Sequence, residues 1–264
     1  MITESFDDKS PAIISPASFI PEQNHFCDIA IGTFSREIHA EVIRGFKCEQ
    51  IGELRAANHL KPIWLVNHDG LDFALYLSEI GSAMAATDMI EMNWLSGATK
   101  FILFGSTGSL DNEKTQGRYI IPTEAYRDEG MSYHYAPPSD YIKIRNADFV
   151  KKVFAENALP RVSGRVWTTD AFYRETRSQL EARKREGCIA VDMETAGAQA
   201  VCDFHGFEFF CFLVAGDVVD QPDYTPEGLH EANHSMDKYF AALKLAESIR
   251  RQKRQDSICE CKIT

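Results

Sequence analysis

Cys188-Ile189-Ala190-Val191 is a short apolar run that breaks into Asp192-Met193-Glu194-Thr195-Ala196-Gly197, and the chain turns apolar again from Phe207 to Val214 before Ala215-Gly216-Asp217. The first run predicts a buried strand, Glu194 to Phe204 a helix, and Phe207 to Val214 a second buried strand. Strands that are apolar on both faces belong to a sheet covered by helices on either side.

The same alternation extends outward. Towards the N-terminus, Phe26 to Ile31 reads as a strand ending at Gly32, and Arg36 to Phe46 has helical spacing. Pro62 to Val66 and Phe73 to Leu77 read as a hairpin about Asp69-Gly70. Ser82 to Leu95 is a helix stopped by Gly97, and Lys100 to Phe104 is an apolar strand closed by the expected turn Gly105-Ser106-Thr107-Gly108. Tyr119 to Ile121 and Arg165 to Trp167 are further strands, and one amphipathic helix is expected from about Pro226 to Arg251. The prediction is a single α/β domain over residues 26–255, with a central mixed β-sheet flanked by helices. An extended N-terminal arm (1–25) precedes it and a tail (256–264) follows. Ligands in such sheets collect at the carboxyl ends of strands, which singles out Gly32, Gly105 to Gly108, and Gly216-Asp217.

Composition narrows the function classes. Hydrophobic residues at 44% and charged residues at 25% are the usage of a soluble globular chain. No apolar run approaches the roughly 18 residues needed to span a bilayer. Asp7 and Asp8 stand where a signal peptide would want positive charge, so a cytoplasmic location is expected by default. A net charge of −11 disfavours nucleic acid and anionic membrane as partners, and an anionic substrate would need local arginines. Seven scattered cysteines without a CxxC pair argue against a disulfide framework or a zinc site, so no metal is expected.

Three segments carry candidate chemistry. In Gly32-Thr33-Phe34-Ser35-Arg36, a glycine at a strand end admits an anion to the backbone and Arg36 can turn back on it; chance alone also produces this pattern. A turn at Gly105 to Gly108 would offer amide N–H groups and two hydroxyls, without Walker or Rossmann spacing. The third segment is the most specific. Asp192 explains itself as a helix N-cap and Glu194 could be a helix-dipole carboxylate, but Asp217 after an apolar strand is costly unless used.

Val191-Asp192-Met193-Glu194-Thr195-Ala196-Gly197 with Ala215-Gly216-Asp217 resembles the signature of the nucleoside phosphorylase family. Gly32 and Arg36 resemble its first phosphate-binding turn, Glu79-Ile80-Gly81-Ser82 its Gly-Ile-Gly-Gly, and Phe104 to Gly108 its phosphate and base turn. Thr169-Asp170-Ala171-Phe172-Tyr173 resembles its Ser-Asp-x-Phe-Tyr. The resemblance spans about residues 26 to 250 and implies a nucleoside phosphorylase-like three-layer fold. It also implies cleavage of a nucleoside by phosphate as co-substrate, with no other cofactor, in a homo-oligomer (a dimer or a trimer of dimers). By the same resemblance, Gly32, Arg36 and Ser106 would hold phosphate, and Met193 and Glu194 the ribose. Thr107, Gly108 and Phe172 would meet the base. Asp217 would protonate it and tilts the reading towards purine, and Arg36 would assist at the phosphate. Thr176 and Ser178 stand where uridine phosphorylases carry a Gln and an Arg.

The chain also departs from the pattern. Leu103 replaces the family's second phosphate arginine, a feature shared with water-using nucleosidases, whereas Arg36 is retained. Arg44, Arg55 or Arg127 could replace the missing charge. His230 stands at the count, thirteen residues after Asp217, where hexameric members carry an arginine. Tyr133 and His134, in an aromatic stretch from Ala125 to Tyr135, read either as a cover for the substrate or as a self-packed loop. Arg174-Glu175 reads either as a base-edge contact or as an exposed ion pair. Three functions stay open: a purine nucleoside phosphorylase, a nucleosidase of the same fold, and a non-catalytic nucleoside sensor.

Overall fold

The computed structural model of the chain describes residues 1–56, 59–221, 224 and 226–260. β1 (Ile29–Thr33) leads to α1 (Arg36–Gly45), followed by the antiparallel run β2 (Lys47–Ala56), β3 (His59–His68) and β4 (Leu71–Leu77). Then come α2 (Ser82–Ser96), β5 (Lys100–Ser109), α3 (Asn112–Thr115), β6 (Tyr119–Asp128), α4 (Ser132–Tyr135) and β7 (Tyr141–Lys143). The remainder is α5 (Ala147–Glu156), β8 (Arg161–Thr169), α6 (Arg177–Arg185), β9 (Cys188–Asp192), α7 (Thr195–His205), β10 (Glu208–Val218), α8 (Leu229–His234) and α9 (Asp237–Glu260).

These strands form one mixed sheet in the order β10-β6-β8-β9-β5-β1-β4-β3-β2, with β7 on β6. β10 also pairs with β5, so five strands close into a ring and the other four extend from it. The central strands are buried along their length because each is a continuous apolar run: Ile29 to Ile31, Phe101 to Phe104, and Phe209 to Leu213 are all core. The hairpin turns at Asp69-Gly70 as expected, with Asp69 at φ 48°, a left-handed turn conformation that Asp tolerates and glycine follows easily. Gly97 ends α2 in the left-handed conformation. The N-terminal arm is extended apart from two short 3₁₀ turns, and it lies on α2 through the Trp94 indole N–H, which donates to Ile20 O (3.0 Å).

Three expectations are corrected. Gly105 to Gly108 is not a turn but the continuation of β5: its backbone pairs with β10 on one edge, and Gly108 and Ser109 pair with β9 on the other. The edge facing β10 is thus taken up by the ladder. β10 extends past Val214 to Val218, so Asp217 is its penultimate residue, at a bulge where Ala215 pairs with Thr107 and Asp217 with Gly108. Such a bulge re-aims the side chain that follows it. The C-terminal helix is two helices, broken at Ser235, whose backbone is extended (φ −66°, ψ 128°). α9 runs on through Glu260 into the stretch expected as a tail, and residues 261–264 lie outside the described ones.

Candidate active site

The carboxyl ends of β1, β5, β9 and β10 meet at a cavity of about 260 Å³, whose wall includes Ser106, Thr107, Gly108, Phe172, Met193, Glu194 and Asp217. These come from four separated parts of the sequence. A larger cavity, about 770 Å³, lies behind α8 against Tyr119, Leu159 and Phe240, and gathers none of the candidate residues.

Glu194 is the N-cap residue of α7 and is 8% exposed. Gly81 N donates to its Oε1 at 2.6 Å, from the left-handed backbone (φ 95°) that starts α2 and that a side-chain-bearing residue adopts only with strain. Ser82 Oγ donates to Met193 O at 2.9 Å, pinning the same segment again. Asp192 lies beneath: it accepts from Thr168 Oγ1 (2.6 Å), from Thr195 N (2.9 Å) and from the Thr195 hydroxyl. Asp192 therefore caps the first amides of α7 even though the helix starts later than expected. Burial, then the neighbouring Asp192 charge, pushes the Glu194 carboxyl up to about 8.

Asp217 lines the same cavity and is 7% exposed. Burial raises its carboxyl above the ordinary carboxylate range, while the Tyr224 hydroxyl, donating to it, opposes the shift. Glu175, on the link into α6, is pushed to about 7 by burial and by the Asp217 charge. Upward-shifted carboxyls that share a cleft are the kind of groups that exchange a proton with a ligand. Phe172 stands at the rim, 47% exposed, with a face available for stacking.

The remaining candidates lie elsewhere. Gly32 is buried in β1 against the Tyr76 ring. Arg36 opens α1 directly after the N-cap Ser35, and its side chain is exposed and outside the cavity wall because Ile38 and Val42 take the core-facing positions of that helix. Of the arginines considered as replacements, Arg44 pairs with Glu41 and Arg55 is exposed on β2. Arg127 is buried near the end of β6, donating to Ser132 Oγ (2.8 Å) and Pro137 O (2.7 Å) in the segment that follows. The Arg127 guanidinium lies 4.2 Å over the Tyr133 ring, and the Tyr133 hydroxyl donates to Arg127 O. That stretch is thus packed on itself, and neither Tyr133 nor the exposed His134 reaches the cavity. Arg174 is exposed as well, while its neighbour Glu175 turns inward.

Sequence reasoning missed part of the wall. His230 is exposed; one helical turn on, His234 lines the cavity together with Asn233. Asn233 Oδ1 accepts from Ser106 Oγ (2.5 Å), and His234 Nδ1 lies 2.8 Å from Ser35 Oγ. The i, i+4 spacing of the two histidines was the available signal. No Arg or Lys side chain lines the cavity among the described residues. Nor do any three His, Cys, Asp or Glu side chains cluster to hold a metal among them.

A mixed sheet closed at one end, with upward-shifted carboxyls gathered in one cavity at its strand ends, is the framework of an enzyme cleft for a small ligand. Residues 30–250 match the family model of the Phosphorylase superfamily, and the chain belongs to that superfamily. A DeoD-type purine nucleoside phosphorylase of Bacillus cereus is 27% identical over 124 residues, 46% of this chain and 53% of the relative; the chain spans about half the length of the curated relatives it matches. Purine nucleoside phosphorylase of Toxoplasma gondii, solved with immucillin-H, superposes with a TM-score of 0.72 at 21% identity, covering 88% of this chain and 97% of that one. AMP nucleosidase of Bacteroides thetaiotaomicron superposes with a TM-score of 0.68 at 20% identity, covering 87% and 91%. Both likenesses speak for the fold.

Proposed function

We propose that this protein cleaves the N-glycosidic bond of a purine nucleoside, with phosphate as the attacking group, releasing free base and ribose 1-phosphate. The observation that carries the reading is that Glu194 and Asp217 line the same small cavity. Glu194, once ionised, accepts hydrogen bonds from the ribose 2′- and 3′-hydroxyls. Asp217 gives its proton to N7 of the purine as the C1′–N9 pair departs with the base, and general acid help of this kind is worth about 10²- to 10⁴-fold. Phe172 stacks on the base, and Met193 packs against the sugar. A phosphate oxygen closes the new bond at C1′, the carbon on which positive charge develops. The DeoD-type relatives and the hydroxyl of Ser106 in the cavity wall support phosphate in that place. A neighbouring subunit would complete the phosphate site with its own cations.

One observation favours a second reading, hydrolysis: the cavity wall contains Glu175, Asp192, Glu194 and Asp217 but no Arg or Lys among the described residues. Such a wall favours neutral water over a phosphate anion. The test is base release from inosine, adenosine and methylthioadenosine with and without phosphate. The phosphorylase reading expects release only with phosphate; equal rates without it would replace that reading by hydrolysis.

A further inference from the structure

The approach to Glu194 depends on a cluster that does not touch the cavity. Lys61 on β3 is 4% exposed, and its ammonium donates to Asp88 Oδ2 on α2 at 2.7 Å; Asp88 is 3% exposed. Lys61 also stands 3.3 Å from Glu79 Oε1, and His59 Nε2 lies 2.6 Å from the same oxygen. Asp88 Oδ2 accepts a second bond, from the Glu79 backbone N–H at 3.0 Å. Glu79 is thus fixed by both its side chain and its main chain. Ile80, the next residue, lines the cavity, and Gly81 gives its N–H to Glu194.

A buried ion pair is a poor way to gain stability, because well-packed apolar residues in the same place are often as good or better. What such a pair supplies is directional bonding. Here the bonds run along one short link, Glu79-Ile80-Gly81-Ser82, anchored at one end to Lys61 and Asp88 and at the other to Glu194 and Met193. Asp88 bonds Lys61 and Glu79 N with one oxygen, so the place of the Glu79 amide depends on the pair.

We propose that Lys61 and Asp88 are positioning residues: through Glu79 and Gly81 they hold the Glu194 carboxylate in the geometry that receives the sugar hydroxyls. This rests on the reading of Glu194 as the sugar-contacting group. Neither residue meets the ligand. Their effect is selective for what Glu194 touches, so it depends on the sugar hydroxyls and not on the base.

The test uses the full chain carrying Lys61→Met, the double change Lys61→Met with Asp88→Leu, and the conservative Lys61→Arg. The double change leaves no unpaired buried charge and covers the case in which the single one does not fold. Two readouts are taken: kcat/KM for a purine ribonucleoside against its 2′,3′-dideoxy analogue, and the ¹³C NMR titration of Glu194, assigned with Glu194→Gln. Misplacing a reacting or binding group by about 1 Å costs on the order of 100-fold. The ribonucleoside rate therefore falls about 10- to 100-fold in the folded Met variants, the dideoxy rate changes little, and Arg restores most of the loss. The Glu194 carboxyl titrates at higher pH once the Gly81 N–H no longer favours its charged form. Equal losses on both substrates with an unmoved Glu194 titration overturn the proposal, as does full activity in the double variant or its failure to fold. If the wild type releases no base, the proposed function fails, while the Glu194 titration still decides the positioning claim.

Discussion

Glu194 and Asp217 share one cavity, yet different kinds of structure hold them. The Glu194 wall is core: Asp192, Thr195 and Ser82 are buried, and its bonds come from backbone amides and short hydroxyl contacts. Asp217 itself lies on β10, but the groups around it come from connections and a short helix. Glu175 sits on a link between elements, Phe172 and Tyr224 are about half exposed, and α8 is a six-residue helix. A group that meets the part common to all ligands belongs on rigid elements, whereas groups that choose among ligands can sit on loops without disturbing the core. The contrast predicts that changes at the Glu194 wall disturb all nucleosides and folding together, while changes at the Asp217 wall are selective and leave stability nearly intact.

Asp217→Asn gives the largest effect. It keeps the shape and removes the proton, so base release from a purine nucleoside falls by about 10²- to 10⁴-fold. Steady-state kcat/KM on inosine and adenosine checks this, and a variant within threefold of wild type, on the scale of those same kinetics, would remove Asp217 from the chemistry. Glu194→Gln follows. Two bonds to an ionised acceptor become weaker neutral ones, and kcat/KM on ribonucleosides drops about 100-fold. The loss should shrink on 2′,3′-dideoxy substrates; a loss independent of the sugar would break the division between the two walls.

The two walls also differ in how far they could be read from sequence. The strands behind Glu194 and Asp217 are uninterrupted apolar runs, so their existence, burial and strand-end position followed from hydrophobic patterning. β2 did not follow: Lys47, Glu49, Glu53 and Arg55 give it the polarity of a loop, which a strand at the sheet edge tolerates. Gly105 to Gly108 suggested a turn because local glycine content cannot report that a distant strand will pair along its length. Glu175 and Tyr224 reach the cavity from connections with no repeating period, and Asn233 and His234 from the short helix α8. Ser235, which breaks the last helix and lets α8 face the cavity, is a small polar residue inside an otherwise helical pattern.

Phe172→Ala sharpens the comparison at moderate size. Removing a half-exposed ring that stacks on a base costs about 1–3 kcal/mol of binding, so KM rises roughly tenfold with kcat little changed. Differential scanning calorimetry should give a melting temperature near the wild-type value, because the ring is not core. A large fall in melting temperature would place Phe172 with the rigid wall instead.

The smallest effect is at Glu175, and its sign is fixed by its titration. Burial and the Asp217 charge push this carboxyl from 4.5 up to about 7, so the folded chain holds that proton more tightly than the unfolded chain does. The stabilisation is fully present below pH about 4.5 and is lost as pH rises through 7. Glu175→Gln keeps the shape, never ionises, and escapes that loss. Its melting temperature should match or fall slightly below wild type at pH 4, then exceed it by about 2 °C at pH 8. Glu194 and Asp192, also shifted upward, titrate in both proteins, so the difference between variant and wild type reports Glu175 together with its coupling to Asp217. A difference that does not change between pH 4 and 8 would mean that Glu175 is ordinarily solvated, and that the Asp217 wall holds one reluctant carboxyl instead of two.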